Sequence, residues 1–169
     1  MGRVQFAVAF ESAQPGVNGS DEAKFLFSPN AGEPLKDFAK VSSGGELSRM
    51  MLAIKALTAQ RDGVGTMIFD EIDTGISGRV AMAVGKKMRG IAQNRQVLCI
   101  THLPQIAVGG QTHFLIEKSE QEGRTVTRLT PLAGQARVAE IARLAGGTIT
   151  DSALKHAQEM LEEVQREIE

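Results

Sequence analysis

Three short segments of the chain carry residue types suited to handling a phosphate. The first, at residues 41–52, reads VSSGGELSRMML. Ser43 followed three residues later by Glu46 is a capping-box pattern, and capping alone would account for that pair. Gly44 and Gly45 need another reason, because each costs up to about 1 kcal/mol relative to Ala in a helix. Their use is steric. Without Cβ atoms, the backbone N–H groups at a helix mouth can close on a bulky anion. Unpaired donors and the positive end of the helix dipole favour the same ligand, and the Ser43 hydroxyl adds a donor.

The second segment, residues 66–78, reads TMIFDEIDTGISG. A short apolar run delivers two adjacent carboxylates, Asp70 and Glu71, to its C-terminal end, where open α/β sheets bind ligands. Neighbouring strand residues point to opposite sides, so the two acids are expected to have different roles. One is suited to Mg²⁺, directly or through water, and the other to orienting and deprotonating a water. A solvated acid pair at a strand end is the plainer alternative. In the third segment, VLCITHLPQ, His102 follows a second apolar run and suits contact with a γ-phosphate or an attacking water. A histidine placed there is also consistent with an ordinary loop residue. His113 and His156 lack such a setting, and Cys99 within its apolar run suits packing.

The elements that must position these groups are legible in the periodicity. Residues 3–11 and 24–28 alternate polar and apolar, with QPGVNGSDE as a loose loop between them, which predicts a hairpin. Residues 30–40, NAGEPLKDFAK, follow as a loop. From Ser43, Leu47, Met50, Met51, Ile54 and Leu57 fall at helical spacing, to an end near Arg61–Gly63. Residues 66–69 and 97–101 read as strands buried on both faces, with a helix over 77–91 between them. That order is a βαβ unit, and its parallel strands would bring Asp70, Glu71 and His102 to one edge. Residues 112–118 and 124–129 predict a second hairpin, and 137–144 and 152–168 predict helices. No internal repeat, low-complexity tract or domain boundary stands out.

The bulk properties set limits. The chain has 169 residues, 42% hydrophobic and 23% charged, an ordinary globular balance. A formal charge of −1 gives no basic excess, so DNA contact would need a local patch or a further part of the protein. The single Cys99 cannot form an internal disulfide, which suits a reducing compartment. Neither a signal peptide nor an apolar run of about 20 residues is present, so a soluble cytoplasmic protein without membrane contact is expected.

Together the segments resemble the second half of an ABC-type ATPase head. SSGGE resembles the signature motif and MIFDE resembles Walker B. IDTGIS, residues 72–77, occupies the D-loop position, and His102 the switch-histidine position. Glu46 in place of the transporter Gln, and Ile72-Asp73 after the Walker B Glu, are closer to the SMC-like branch that handles chromosomes. VSSGGELSRMMLAIK, FDEIDTGISGRVA, VLCITHLPQIA and HFLIEK…GRTVTRL extend the likeness over nearly the whole chain, most weakly at residues 13–22.

That resemblance implies an α/β fold: the C-terminal lobe of a split ABC-type head, residues 1–169, with a mostly parallel sheet flanked by helices and antiparallel hairpins. It implies ATP and Mg²⁺ as ligands and double-strand break repair by recombination as the process, near the nucleoid. Asp70 would support Mg²⁺, Glu71 would be the general base, and His102 would hold the γ-phosphate. Ser43, Gly44, Gly45 and Glu46 would bind ATP in trans from a second head of a homodimer. Asp73, Thr74 and Ser77 would lie near the dimer seam. The phosphate loop G-x-x-x-x-G-K-[ST] is absent; the only Gly-Lys pair, Gly85-Lys86, lacks its other positions. Sustained coiled-coil heptads are absent too. The resemblance therefore implies a separate N-terminal Walker A half as partner, DNA contact through the complete protein, and an inactive chain in isolation. Two other readings stay open: a different SMC-like or ABC-class head, and a non-catalytic interaction domain on the same fold.

Overall fold

A computed structural model describes residues 4–28, 32–38, 44–58, 61, 63–121 and 123–166. The chain divides into two compact units, Met1–Leu47 and Ser48–Glu169. The boundary falls inside the first helix, where the sequence offers no punctuation.

In the first unit, β1 (Gln5–Gly16) and β2 (Gly19–Ser28) form an antiparallel hairpin, and β3 (Lys36–Asp37) adds to β2. The supposed loose loop is mostly paired: Ser12 faces Asp21 and Gly16 faces Gly19, with a register shift between them. That irregularity breaks the polar–apolar alternation, so the period that marks a strand in sequence fades while the backbone pairing continues. Gly19, at φ 110°, closes the turn after Val17 and Asn18, a conformation L side chains rarely adopt. Phe6 and Phe25 stack across the hairpin with ring centroids 5.8 Å apart.

Helix α1 is described over Gly44–Thr58, and residues 59, 60 and 62 of its expected end lie outside the described residues. Its buried anchor is Leu52, while Met51 and Leu57 face solvent. In the second unit β4 (Thr66–Phe69) and β5 (Gln96–Cys99) pair in parallel, Thr66 opposite Gln96 and Phe69 opposite Cys99. Helix α2 (Gly78–Ala92) makes the crossover and buries Ala81, Val84, Gly85, Met88 and Ile91. These side chains join Leu52, Met67, Phe69, Ile72 and Ile106 in one core. Short helix α3 (Pro104–Ala107), unmarked by periodicity because it is a single turn, carries Pro at its start. Gly85 lets α3 approach α2: a Cβ there would stand 3.1 Å from the Gln105 carbonyl oxygen.

β6 (His113–Gln121) and β7 (Arg124–Leu132) form the second hairpin, and α4 (Gly134–Gly146) and α5 (Asp151–Arg166) follow. The α5 face predicted from Leu154, Met160, Leu161 and Val164 packs with Val138, Ile141 and Ala142 of α4 in a second core.

The α/β class holds, with a parallel βαβ unit and two antiparallel hairpins. Among the described residues the parallel sheet has two strands, so antiparallel pairing predominates. The expectation that these strands are buried on both faces is corrected. Met67 and Phe69 are buried, but Ile68 is 68% exposed, Leu98 45% and Ile100 52%. Helices cover one face of the pair in this chain, so an apolar run marks the strands without guaranteeing cover for both.

Candidate active site

Strand β4 stops at Phe69, and the parallel register brings the ends of β4 and β5 level. The Ile100 N–H donates to the Phe69 carbonyl at 3.0 Å, extending the match one step further. The chain then leaves the sheet on both strands. Asp70, Glu71, Asp73 and Thr74 from one exit, and Ile100, Thr101 and His102 from the other, line a shared cleft of about 290 Å³. The three residues expected to meet at one edge, Asp70, Glu71 and His102, do so.

The reason Asp70 and Glu71 share that cleft differs from the expected one. Strand alternation would send them to opposite sides. Glu71 instead has φ 56°, a left-handed conformation uncommon for a residue with a Cβ. Its N–H donates to Asp70 Oδ1 at 2.9 Å, and its carbonyl accepts from the Thr74 N–H at 3.1 Å. With this turn Glu71 lines the same cleft as Asp70. Both side chains are exposed to the cleft.

Helix α1 fastens this turn. Ser48 donates its hydroxyl to the Asp70 carbonyl at 3.0 Å. Arg49 Nη1 donates to the carbonyls of Ile72 at 3.2 Å and Thr74 at 2.7 Å. Neither residue stood out as functional in the sequence. The available signal was their polarity within the otherwise apolar LSRMMLAI run.

Asp73, expected near the dimer seam, is bonded within its own chain. Its side chain is buried, 4% exposed as a residue, inside its own chain. Oδ2 accepts from the Thr101 hydroxyl at 2.6 Å and from the His102 N–H at 2.7 Å, and stands 2.9 Å from His102 Nδ1. Thr101 Oγ1 in turn accepts from the Leu103 N–H at 3.1 Å. Burial pushes the Asp73 carboxyl up, but the Thr101 and His102 hydrogen bonds and the imidazole charge outweigh it and hold it below the ordinary 3.8. The His102 side chain is 70% exposed, with Nδ1 against the Asp73 carboxylate.

Cys99 lies behind the cleft with the β4–β5 core. Burial first, then the charges of Asp73 and Asp70, push its thiol up to about 12. Thr74 and Ser77 are exposed; Ser77 precedes α2 in extended conformation and makes no side-chain cap bond. Gly44, Gly45 and Glu46 form the first turn of α1 and fall in the first unit. Ser43 lies outside the described residues. His113 is half-buried near Arg137, away from the cleft lining, and His156 is exposed on α5.

In overall fold the chain is similar to heads of SMC proteins. The Smc head domain with a coiled coil and joint from Pyrococcus yayanosii matches with a TM-score of 0.56 at 19% identity, over 96% of this chain and 26% of that one. The Smc head bound to the C-terminal domain of ScpA from Pyrococcus furiosus matches with a TM-score of 0.55 at 18% identity, over 96% and 34%. The chain shares part of the fold of these heads.

The sequence narrows the relationship further. The chain is 53% identical to the DNA repair protein RecN of Bacillus subtilis over 146 residues, covering 86% of this chain and 25% of that protein. It is 46% identical to RecN of Halalkalibacterium halodurans over 168 residues, covering 96% and 30%. RecN of Vibrio cholerae is also 46% identical, over 164 residues, covering 95% and 30%. The chain belongs to the RecN family and corresponds to a C-terminal portion of it. It spans less than a third of the length of these relatives. No protein-family model matches the sequence.

Proposed function

We propose that this chain is the signature and Walker B half of an SMC-like ATPase head, which closes on ATP with a second head and drives double-strand break repair by recombination. The observation that carries this reading is the shared cleft of Asp70, Glu71 and His102 at the paired ends of β4 and β5. An N-terminal Walker A half would complete the nucleotide site and cover the open face of Ile68, Leu98 and Ile100. DNA would be engaged by the complete protein, in the cytoplasm at the nucleoid. Among the described residues no helix is long and apolar enough to cross a membrane.

The site fits a magnesium ion held jointly with phosphates. No group of three or more candidate ligands occurs among the described residues. Asp70 binds the Glu71 N–H through Oδ1, which leaves Oδ2 as a ligand, directly or through water. One carboxylate plus phosphate oxygens is how Mg²⁺ is commonly held at phosphoryl-transfer sites. When bound, the ion supplies neutralising charge to the phosphates.

The remaining roles fall to the chain's own groups. Glu71 accepts a proton from the attacking water, its carboxylate brought to the cleft by the left-handed turn. His102, in its charged form, donates from Nε2 to the γ-phosphate, since Nδ1 faces Asp73. Gly44 and Gly45, with Ser43 and Glu46, present backbone donors at the mouth of α1 to the ATP of the opposite head. Thr74 and Ser77 lie near the seam between heads. ATP stabilises the closed pair because both heads contact it, and hydrolysis removes part of that contact.

The test mixes this chain with a Walker A-bearing N-terminal half. Turnover should appear only in the mixture. Glu71→Gln should retain ATP binding, lower turnover about 100-fold or more, and accumulate closed dimers. Normal hydrolysis by that variant removes Glu71 from the base role, and robust turnover by this chain alone overturns the split head.

A further inference from the structure

The Asp73 carboxylate meets the cleft histidine, and its geometry is specific. Two donors converge on one oxygen, Oδ2, the Thr101 hydroxyl at 2.6 Å and the His102 N–H at 2.7 Å, and His102 Nδ1 stands 2.9 Å from the same oxygen. Asp73 is 4% exposed, whereas the imidazole it holds is 70% exposed. A buried carboxylate therefore grips the root and the near nitrogen of a side chain that otherwise stands in solvent. Thr101 cannot turn its hydroxyl away without losing a bond, because its oxygen already accepts from Leu103 N–H at 3.1 Å.

We infer that Asp73 is a positioning residue that locks His102 in the Nδ1–H form and aims Nε2 into the cleft. An ionised carboxylate only accepts, so the ring nitrogen 2.9 Å away must carry a proton. In the neutral ring the other nitrogen is then a bare acceptor, and in the charged ring it is a donor. Either way Asp73 fixes its direction. The free energy of ordering an exposed side chain is met within the fold before any ligand arrives, which is the physical content of preorganisation. The assignment links the two strand exits: Asp73 follows β4, His102 follows β5, and a shift of either loop moves the imidazole.

The inference rests on the proposed role of His102 only for its effect on turnover; the locking itself is independent of nucleotide. The first measurement is therefore nitrogen-15 NMR of the His102 ring in the chain as it stands. The native ring should show the Nδ1–H tautomer when neutral. Asp73→Ala should lose that preference. Asp73→Asn, which keeps an acceptor oxygen, should hold the ring, and the amide spectrum of β4 and β5 reports whether each variant is folded. A native ring in the opposite tautomer, or a ring unchanged in a folded Asp73→Ala chain, overturns the inference.

The second measurement is ATP turnover in the mixture with the Walker A half. Asp73→Ala should fall roughly 10–100-fold, as when the partner orienting a ligand-binding histidine is removed. Asp73→Asn should recover most of the rate, and adding Asp73→Ala to His102→Ala should lower it no further. Full turnover in His102→Ala would sink the proposed role of His102 while leaving the tautomer result standing. A drop in His102→Ala with none in Asp73→Ala would sink the positioning role alone.

Discussion

At the residue scale, the cleft is built by conformations that oppose local preference. Glu71 adopts φ 56°, where an L residue loses roughly 1–2 kcal/mol against the right-handed alternative. The surrounding hydrogen bonds from Ser48 and Arg49 and the Thr74–Glu71 turn hold the segment in place. Cys99 shows the same environment acting on a bystander. Its thiol is pushed up to about 12 by burial and by the Asp73 and Asp70 charges, so it stays protonated at every ordinary working pH. Iodoacetamide at pH 8 should leave Cys99 unmodified in the folded chain and alkylate it in urea. Rapid labelling of the native chain would contradict this burial.

At the scale of elements, α1 acts as a clamp on the segment after β4. Arg49 reaches two carbonyls, Ile72 and Thr74, that no strand or helix partner takes up in this turn. Hydrogen bonds to charged groups contribute about 1.5–3 kcal/mol, and the part-buried Ile72 carbonyl adds a cost when its donor is lost. Arg49→Ala should therefore destabilise the chain by about 2 kcal/mol, read as a lower urea midpoint with an unchanged slope. A loss under about 0.5 kcal/mol would mean the guanidinium contributes little to holding the turn. The α2–α3 contact works differently. It depends on what Gly85 lacks, since added bulk meets the Gln105 carbonyl at 3.1 Å.

At the scale of the whole molecule, two features govern behaviour in solution. One is the uncovered face of the parallel pair, Ile68, Leu98 and Ile100. Ile68→Thr keeps a β-branched side chain and should change folding stability by no more than about 0.5 kcal/mol while reducing aggregation. It should also weaken assembly with an N-terminal half; undiminished assembly would mean this face is not the one covered. The other is acid sensitivity. His113 is held below the ordinary 6.5, mainly by burial and then by the Arg137 charge, with Glu140 opposing. The unfolded chain then takes that proton first, so stability falls as pH drops through 6.5. Asp73 is held below 3.8, so its contribution is complete above 3.8 and is lost as pH falls towards its lower folded value. Urea midpoints should decline in two stages, the first of them absent in His113→Gln.

The sequence by itself determined the identity of the parts. Apolar runs ending in Asp70-Glu71 and near His102, an intervening amphipathic helix and two alternating hairpins are local patterns, and local patterns follow from side-chain period and chain length. The family likeness could be read from the same short motifs, because it is carried by residue types at fixed spacing along the chain. Tertiary structure alone decided what meets what. It paired the β1–β2 loop where a register shift had blurred the alternation, and left one face of β4–β5 open. It turned Glu71 left-handed and buried Asp73 beneath His102. A carboxylate in a motif has the same chemistry wherever it points. Only the two strand exits, brought level by the parallel register, determine whether that carboxylate meets water, a partner molecule or a histidine 29 residues along the chain.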